Sequence, residues 1–136
     1  MIIFANRGHY SGIGGVENSI RNLAKETSQR QIPAMVLCRE ALGNESLDAD
    51  ARRLPPGIEL VTYKDEVGSN PLLRLMYLRH GGYTLNKVYR DLYRKYPSAD
   101  IIARHHAHVL AAHSAGFKKI CYLVPSLSAN QLQQEL

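Results

Sequence analysis

The sequence predicts a doubly wound parallel α/β sheet of about five strands in the order 3-2-1-4-5, with helices on both faces. Three observations carry this expectation. Short apolar runs alternate along the chain with segments whose apolar residues recur every three or four positions, the pattern of βαβ units. Runs such as Met35 to Cys38 are continuous rather than alternating, as in strands covered on both faces. The first run leads through a glycine-rich loop straight into a helical pattern.

Met1 to Ala5 is the first strand. Asn6 to Glu17, NRGHYSGIGGVE, forms the glycine-rich loop, and Val16, Ile20, Leu23, Ala24 and Thr27 mark one face of a helix from about Gly15 to Arg30. Glu17 in its first turn suits the helix dipole. Ile32 to Cys38 is the second strand, with Pro33 confined to its beginning. Ala41 to Leu54 reads as a loop with a short helix or irregular excursion, ended by Pro55-Pro56-Gly57. Ile58 to Tyr63, β-branched and aromatic, is the third strand.

After a polar loop, Pro71 opens a helix through Leu78 that Gly81-Gly82 interrupts. It resumes at Leu85, Val88, Tyr89, Leu92, Tyr93 and Tyr96, and Pro97 stops it. Asp100 introduces a short fourth strand, Ile101 to Ala103. ARHHAHVLAAHSAG then turns into a helix of small residues, and Ile120 to Val124 is the fifth strand, closed by Pro125. Ser126 or Ser128 can cap a final helix to Leu136.

With 136 residues the chain fits one domain, and its 45% apolar and 21% charged content is that of a soluble globular protein. Cys38 and Cys121 each lie in an apolar run and are expected as buried, reduced thiols. No apolar stretch reaches the roughly 20 residues of a membrane span, and MIIFANRG lacks a charged start before a signal-peptide core, so a cytoplasmic location is expected. The net charge of +5 is concentrated. From Pro71 to Tyr96, Arg74, Arg79, Lys87, Arg90, Arg94 and Lys95 face a single acid, Asp91, which accounts for the whole excess.

In this strand order the chain reverses direction between the first and fourth strands, and ligands bind in the crevice at their carboxyl ends. The loops that meet there are the glycine loop and Arg104-His105-His106. A glycine-rich backbone ahead of a helix start suits a phosphate. A dinucleotide site is disfavoured: Gly12-Ile13-Gly14 begins the G-x-G-x-x-G pattern, but Glu17 takes its third glycine, the loop is too long, and only Glu40 follows the second strand as a ribose ligand. Gly-Lys-Ser and Gly-Lys-Thr are absent, which excludes a Walker loop. No carboxylate or thiolate lies among His105, His106, His108 and His113, so no metal site is expected, and His108 and His113 read as surface or packing residues. The basic stretch, interleaved with Tyr77, Tyr83, Tyr89, Tyr93 and Tyr96, reads either as a surface for anionic membrane or as a solvated face with half-buried tyrosines. No nucleic-acid-binding module accompanies it.

GGVENSIRNLAKETSQRQIPAMVLC resembles the segment with which glycosyltransferases of the family 4 type (group 1, GT-B fold) open: Gly-Gly-Val-Glu at a helix head, Asn-Leu-Ala near its middle, a short turn and an apolar second strand. ADIIARHHAHVLAAHSAGFKKICYLVPS is similar to a later family segment, where a buried strand ends in a histidine-bearing loop followed by a small-residue helix. The resemblance covers most of the chain. It implies a Rossmann-like, acceptor-side, N-terminal domain of a hexosyltransferase that moves a sugar from a nucleoside-diphosphate donor. The nucleotide sugar would be a substrate, with no cofactor. The resemblance places the backbone at Gly12, Gly14 and Gly15 on the donor diphosphate, and His105 and His106, as catalytic candidates, at the transferred sugar or the acceptor hydroxyl. Arg74, Arg79, Lys87, Arg90 and Arg94 would then form an acceptor or membrane surface, at the inner face of the membrane if the acceptor is a lipid. The donor-binding domain with its Glu-x7-Glu motif, and the closing strands of the first domain, lie outside these 136 residues. The expectation is therefore a truncated domain over 1–136 that supplies half a cleft and does not turn over alone. The alternative is a noncatalytic Rossmann-like module that docks to a partner or an anionic membrane through 71–96.

Overall fold

Apolar side chains at both parities of a strand require cover on both faces of the sheet, and the chain meets that requirement with helices on opposite sides. The computed structural model describes residues 1–43, 46–64, 70–72, 74–75 and 83–124. The elements are β1 (Ile2–Ala5), α1 (Gly15–Gln29), β2 (Ala34–Arg39), a 3₁₀ turn (Asp50–Arg52), β3 (Ile58–Tyr63), α2 (Tyr83–Lys95), β4 (Asp100–Ala103), α3 (His106–Ala115) and β5 (Ile120–Tyr122). All five strands are parallel, in the predicted order β3-β2-β1-β4-β5. The fold is Rossmann-like.

Residue parity sorts the core into two layers. Phe4, Val36, Cys38 and Ile58 pack with Tyr10 and with Ile20 and Ala24 of α1. On the other face, Ile3, Ala5, Met35, Leu37, Ile101 and Ala103 pack with Leu85, Tyr89 and Leu92 of α2 and with Ala107, Ala111 and Ala112 of α3. The alanines let α3 lie close to the sheet. Thr27, buried in α1, donates its hydroxyl to the carbonyls of Leu23 and Ala24, 3.0 and 2.9 Å away, so its polar atom is satisfied inside the helix.

α3 ends in a Schellman arrangement: Gly116 N–H donates to His113 O at 3.1 Å and Phe117 N–H to Ala112 O at 3.2 Å. Gly116 has φ 112°, and a Cβ there would come within 3.1 Å of the Tyr93 ring, so both conformation and space require glycine. Phe117, delivered into the core by this turn, meets Tyr89 and Tyr93 edge-on.

The structure differs from the sequence expectation at several ends. β2 begins at Ala34, because Ile32 N–H closes the end of α1 on Thr27 O at 2.9 Å. β5 is shorter than expected and Cys121 is exposed, whereas Cys38 is buried; neither forms a disulfide. The Ala41 to Leu54 excursion contains the 3₁₀ turn and a bridge from Leu47 to Gly12. The final helix expected to Leu136 lies outside the described residues.

His108 is the polar centre of the second layer. Fully buried in the first turn of α3, it holds Tyr63 Oη at 3.0 Å from Nε2 and Tyr89 Oη at 2.9 Å from Nδ1. One ring nitrogen donates to one phenol oxygen, and the other accepts the second phenol's proton. β3, α2 and α3 are thereby joined through one imidazole. Burial lowers the His108 pKa to about 3, with the charges of His105 and Arg7 acting in the same direction and a backbone hydrogen bond to Asn6 opposing them. Burial likewise raises the Tyr89 hydroxyl well above its usual value.

Below pH 6.5 the unfolded chain takes up a proton at His108 that the folded chain refuses until about pH 3, so stability falls as pH drops through that window. Urea unfolding should show a loss of about 2 kcal/mol between pH 7 and pH 5 from this group. His108→Gln should flatten that slope while lowering stability at pH 7, and an unchanged slope would remove His108 as its source.

Candidate functional site

β1 and β4 are neighbours in register, Ala5 opposite Ala103, and their chains leave the sheet at the same level. Arg104 N–H donates to Ala5 O at 2.8 Å, and Asn6 N–H to Leu37 O at 3.0 Å. From β1 the chain goes to α1 on one face, and from β4 to α3 on the other. The glycine loop and Arg104-His105-His106 thus start from adjacent strand ends, and the Asn6 backbone and the Arg7 charge act on His108 in the first turn of α3.

The interior of the glycine loop is occupied by the carboxylate of Glu17. Asn6 Nδ2 donates to Glu17 Oε1 at 3.3 Å. A Cβ at Gly8 would run into Oε1 and one at Gly14 into Oε2. At Gly12 a Cβ would stand 3.0 Å from His9 O and 3.1 Å from Glu17 Cγ. Gly14, the residue before α1, is extended at φ 166°, so space rather than conformation demands a glycine there. Gly15 is different: nothing lies within 4 Å of a Cβ built on it. The three closely packed glycines serve the loop's own carboxylate, and Gly15 is the open position at the helix start.

Arg21 ties this loop to the helix. Its Nη1 donates to Tyr10 O at 2.7 Å and Gly12 O at 2.8 Å, while Nη2 donates to Asn18 Oδ1. A second anchor comes from the following excursion, where Asp48 N–H donates to Ser11 O at 2.8 Å. Burial raises the Tyr10 hydroxyl pKa, with Arg21 opposing. The first amides of α1, at Gly15, Val16 and Glu17, have no acceptor within the helix, since the first helical bond runs from Asn18 N–H to Gly14 O.

On the β4 side, His105 is the N-cap of α3: its backbone is extended and its Nδ1 accepts from Ala107 N–H at 3.2 Å. His106 follows, exposed, with its ring 4.3 Å from that of His105 and tilted by 31°. Arg104 is half-buried, and its Nε is a buried nitrogen with no hydrogen-bond partner among the described residues. A buried guanidinium nitrogen left unpaired in water-free surroundings costs about 1–3 kcal/mol and marks a place where an acceptor belongs. Among the described residues no three histidine, cysteine or acidic side chains gather as a metal site.

Gly12, Gly14 and Gly15 follow β1 and His105 and His106 follow β4, so the two groups stand on connections that leave adjacent strands. The basic surface lies elsewhere. Lys87, Arg90 and Arg94 are exposed on α2, Arg94 pairing with Asp91 at 3.4 Å, and Tyr89 is buried on the opposite side with Tyr93 and Tyr96 half-buried. Arg74 is exposed on the helical residues that precede, and Arg79 lies outside the described residues. No helix among the described residues is long and apolar enough to cross a membrane. Sequence reasoning assigned no role of its own to Arg104 within its loop, and passed over Arg21 and the enclosure of Glu17. Only Glu17 had a readable signal, four glycines within one loop length of a first-turn acid. Comparison with protein-family models, curated proteins and solved structures gives no match to this chain.

The glycines should rank by what their Cβ would meet. Gly15→Ala should be neutral or stabilising by at most about 1 kcal/mol. Gly14→Ala should cost about 1 kcal/mol, because the Glu17 carboxylate can swing away only by giving up Asn6. Gly12→Ala should cost about 1–3 kcal/mol, since the His9 carbonyl is backbone. In a Glu17→Ala background the Gly14 penalty should vanish and most of the Gly12 penalty persist, as read from urea midpoints.

Proposed function

We propose that this chain forms the acceptor-side half of a cleft in which a sugar passes from a nucleoside-diphosphate donor to a hydroxyl acceptor. The observation that carries the reading is the strand-order reversal between β1 and β4, whose ends lead to an open helix start at Gly15 and to the Arg104-His105-His106 turn. The two sides offer different chemistry. First-turn amides without an acceptor inside the helix and the positive end of α1 favour phosphate oxygens, and the Arg104 guanidinium adds a full charge. Imidazoles beside them suit a hydroxyl that loses or shares its proton near neutral pH. The segment-by-segment resemblance to the glycosyltransferases of the family 4 type supports assigning the phosphate to a sugar nucleotide rather than to a dinucleotide. The half-cleft is completed by a second domain of the donor-binding kind.

A second reading, docking of a noncatalytic module to an anionic membrane, is favoured by a separate observation. Leu72 and Leu75 are 71% and 55% exposed beside Arg74, and Lys87, Arg90 and Arg94 are exposed on α2. Apolar anchors with basic neighbours fit a charged interface. The inward tyrosines of α2 weaken it, because they belong to the core.

Amide NMR of the 136-residue chain titrated with UDP, GDP and their sugars should show saturable shifts at Gly14, Gly15 and Arg104. Gly15→Asp, which the open space accommodates, should weaken binding at least about tenfold through like-charge repulsion. Shifts confined to other parts of the molecule, or affinity indifferent to this substitution, would sink the transfer reading. For the docking reading, sedimentation with phosphatidylglycerol vesicles should capture the chain at low salt and release it at about 0.5 M. Capture that survives Lys87→Glu, Arg90→Glu and Arg94→Glu together would refute it.

A further inference from the structure

The crevice is rich in histidine, but hydrogen bonding leaves its rings unequal. A backbone N–H can donate only to a ring nitrogen that holds a lone pair. His105 Nδ1 accepts from Ala107 N–H at 3.2 Å, so this nitrogen is unprotonated and the ring proton of neutral His105 is on Nε2. A second proton would set two hydrogens against each other, remove the cap of α3 and meet the positive end of its dipole. On the glycine loop, His9 Nδ1 accepts from Ser11 N–H at 3.1 Å, and the same logic puts its proton on Nε2. Both nitrogens of His108 are engaged by Tyr63 and Tyr89. His113 stands in the last turn of α3, away from the crevice. His106 remains: it is exposed, on the first turn of α3, and no described group engages its lone pair.

We propose that His106 is the ring that accepts the proton or hydrogen bond of an incoming hydroxyl, and that His105 is a positioning residue locked in the tautomer protonated at Nε2. The choice of a hydroxyl as ligand rests on the transfer reading; the division of roles rests on the hydrogen bonds alone. His105 orients its neighbour in two ways. As N-cap it sets where the first turn of α3 begins, and its ring, 4.3 Å from that of His106 and only 31° from parallel, limits the plane in which His106 can lie. The single lone pair of the His106 ring is the acceptor, and a proton taken there leaves an imidazolium that solvent can reach.

Long-range proton–nitrogen NMR of the labelled 136-residue chain near pH 7.5 should show His105 and His9 each as the pure Nε2-protonated tautomer. A His105 ring protonated at Nδ1, averaged between tautomers or doubly protonated overturns the proposal. Diethyl pyrocarbonate, which attacks an available imidazole lone pair, should modify His106 at least tenfold faster than His105 by peptide mapping; equal rates overturn it. His105→Asn, whose side-chain oxygen can take over the cap, should melt close to the native chain, whereas His105→Ala should melt several degrees lower. An Asn variant as unstable as the Ala variant overturns the capping role. None of these measurements uses a sugar nucleotide, so failure of UDP and GDP sugars to bind ends the transfer reading alone, and a mobile His105 tautomer ends this assignment alone.

Discussion

The pairing of β1 on both edges is the constraint from which the rest of the geometry follows. Four residues, Ile2–Ala5, are bonded to β2 on one side and β4 on the other, while Ile3 and Ala5 face one helical layer and Phe4 the other. Because parallel crossovers are right-handed, a chain that leaves β1 toward β2 and later returns to its other edge must place its helices on opposite faces. The ends of β1 and β4 then feed loops that diverge, and the gap between them cannot be closed by the sheet itself. The crevice is a topological product of that central strand. The residues around it determine what it can hold.

Two polar devices hold the rim of that crevice, and they work on different faces. In the layer under α2 and α3, His108 joins Tyr63 and Tyr89, so the first turn of α3 is fixed to β3 and α2 by hydrogen bonds that water does not reach. In the layer under α1, Arg21 holds the carbonyls of Tyr10 and Gly12, and Asn6 holds Glu17. A long loop with this many internal acceptors satisfied is a built structure rather than a slack connection. Its glycines pack against a carboxylate from the helix that follows. In the proposed transfer reading, an anion at Gly15 would meet the negative Glu17 carboxylate as well as the positive end of α1.

Much of the architecture was readable from local pattern. The continuous apolar run at Met35 to Cys38, the β-branched and aromatic content of Ile58 to Tyr63, the helical spacing of Ile20 and Ala24, and Pro97 after α2 each report on a few neighbours, and strand order followed from the βα alternation. That β1 and β4, which lead to the glycine loop and to Arg104-His105-His106, stand side by side was readable with that order. Boundaries were less so. Ile32 was expected to open the second strand ahead of its continuous apolar run, but its amide closes the C-terminal turn of α1. Cys121, expected to be buried in an apolar run, is exposed on the short strand β5.

Composition and periodicity by themselves determined the class of fold and the order of its strands, because those depend on which residues prefer water and at what spacing. They could not assign individual polar side chains. His105, His106 and His108 are near neighbours of one residue type, yet one caps a helix, one is exposed and one lies between two buried phenols. Glu17 is a helix-start acid by position and the filling of a glycine loop by contact. Each assignment depends on partners up to 45 residues away in the chain, as for Tyr63 and His108. Such a partner is chosen by packing in three dimensions, where hydrogen-bond direction and excluded volume act on residues that sequence spacing never brings together.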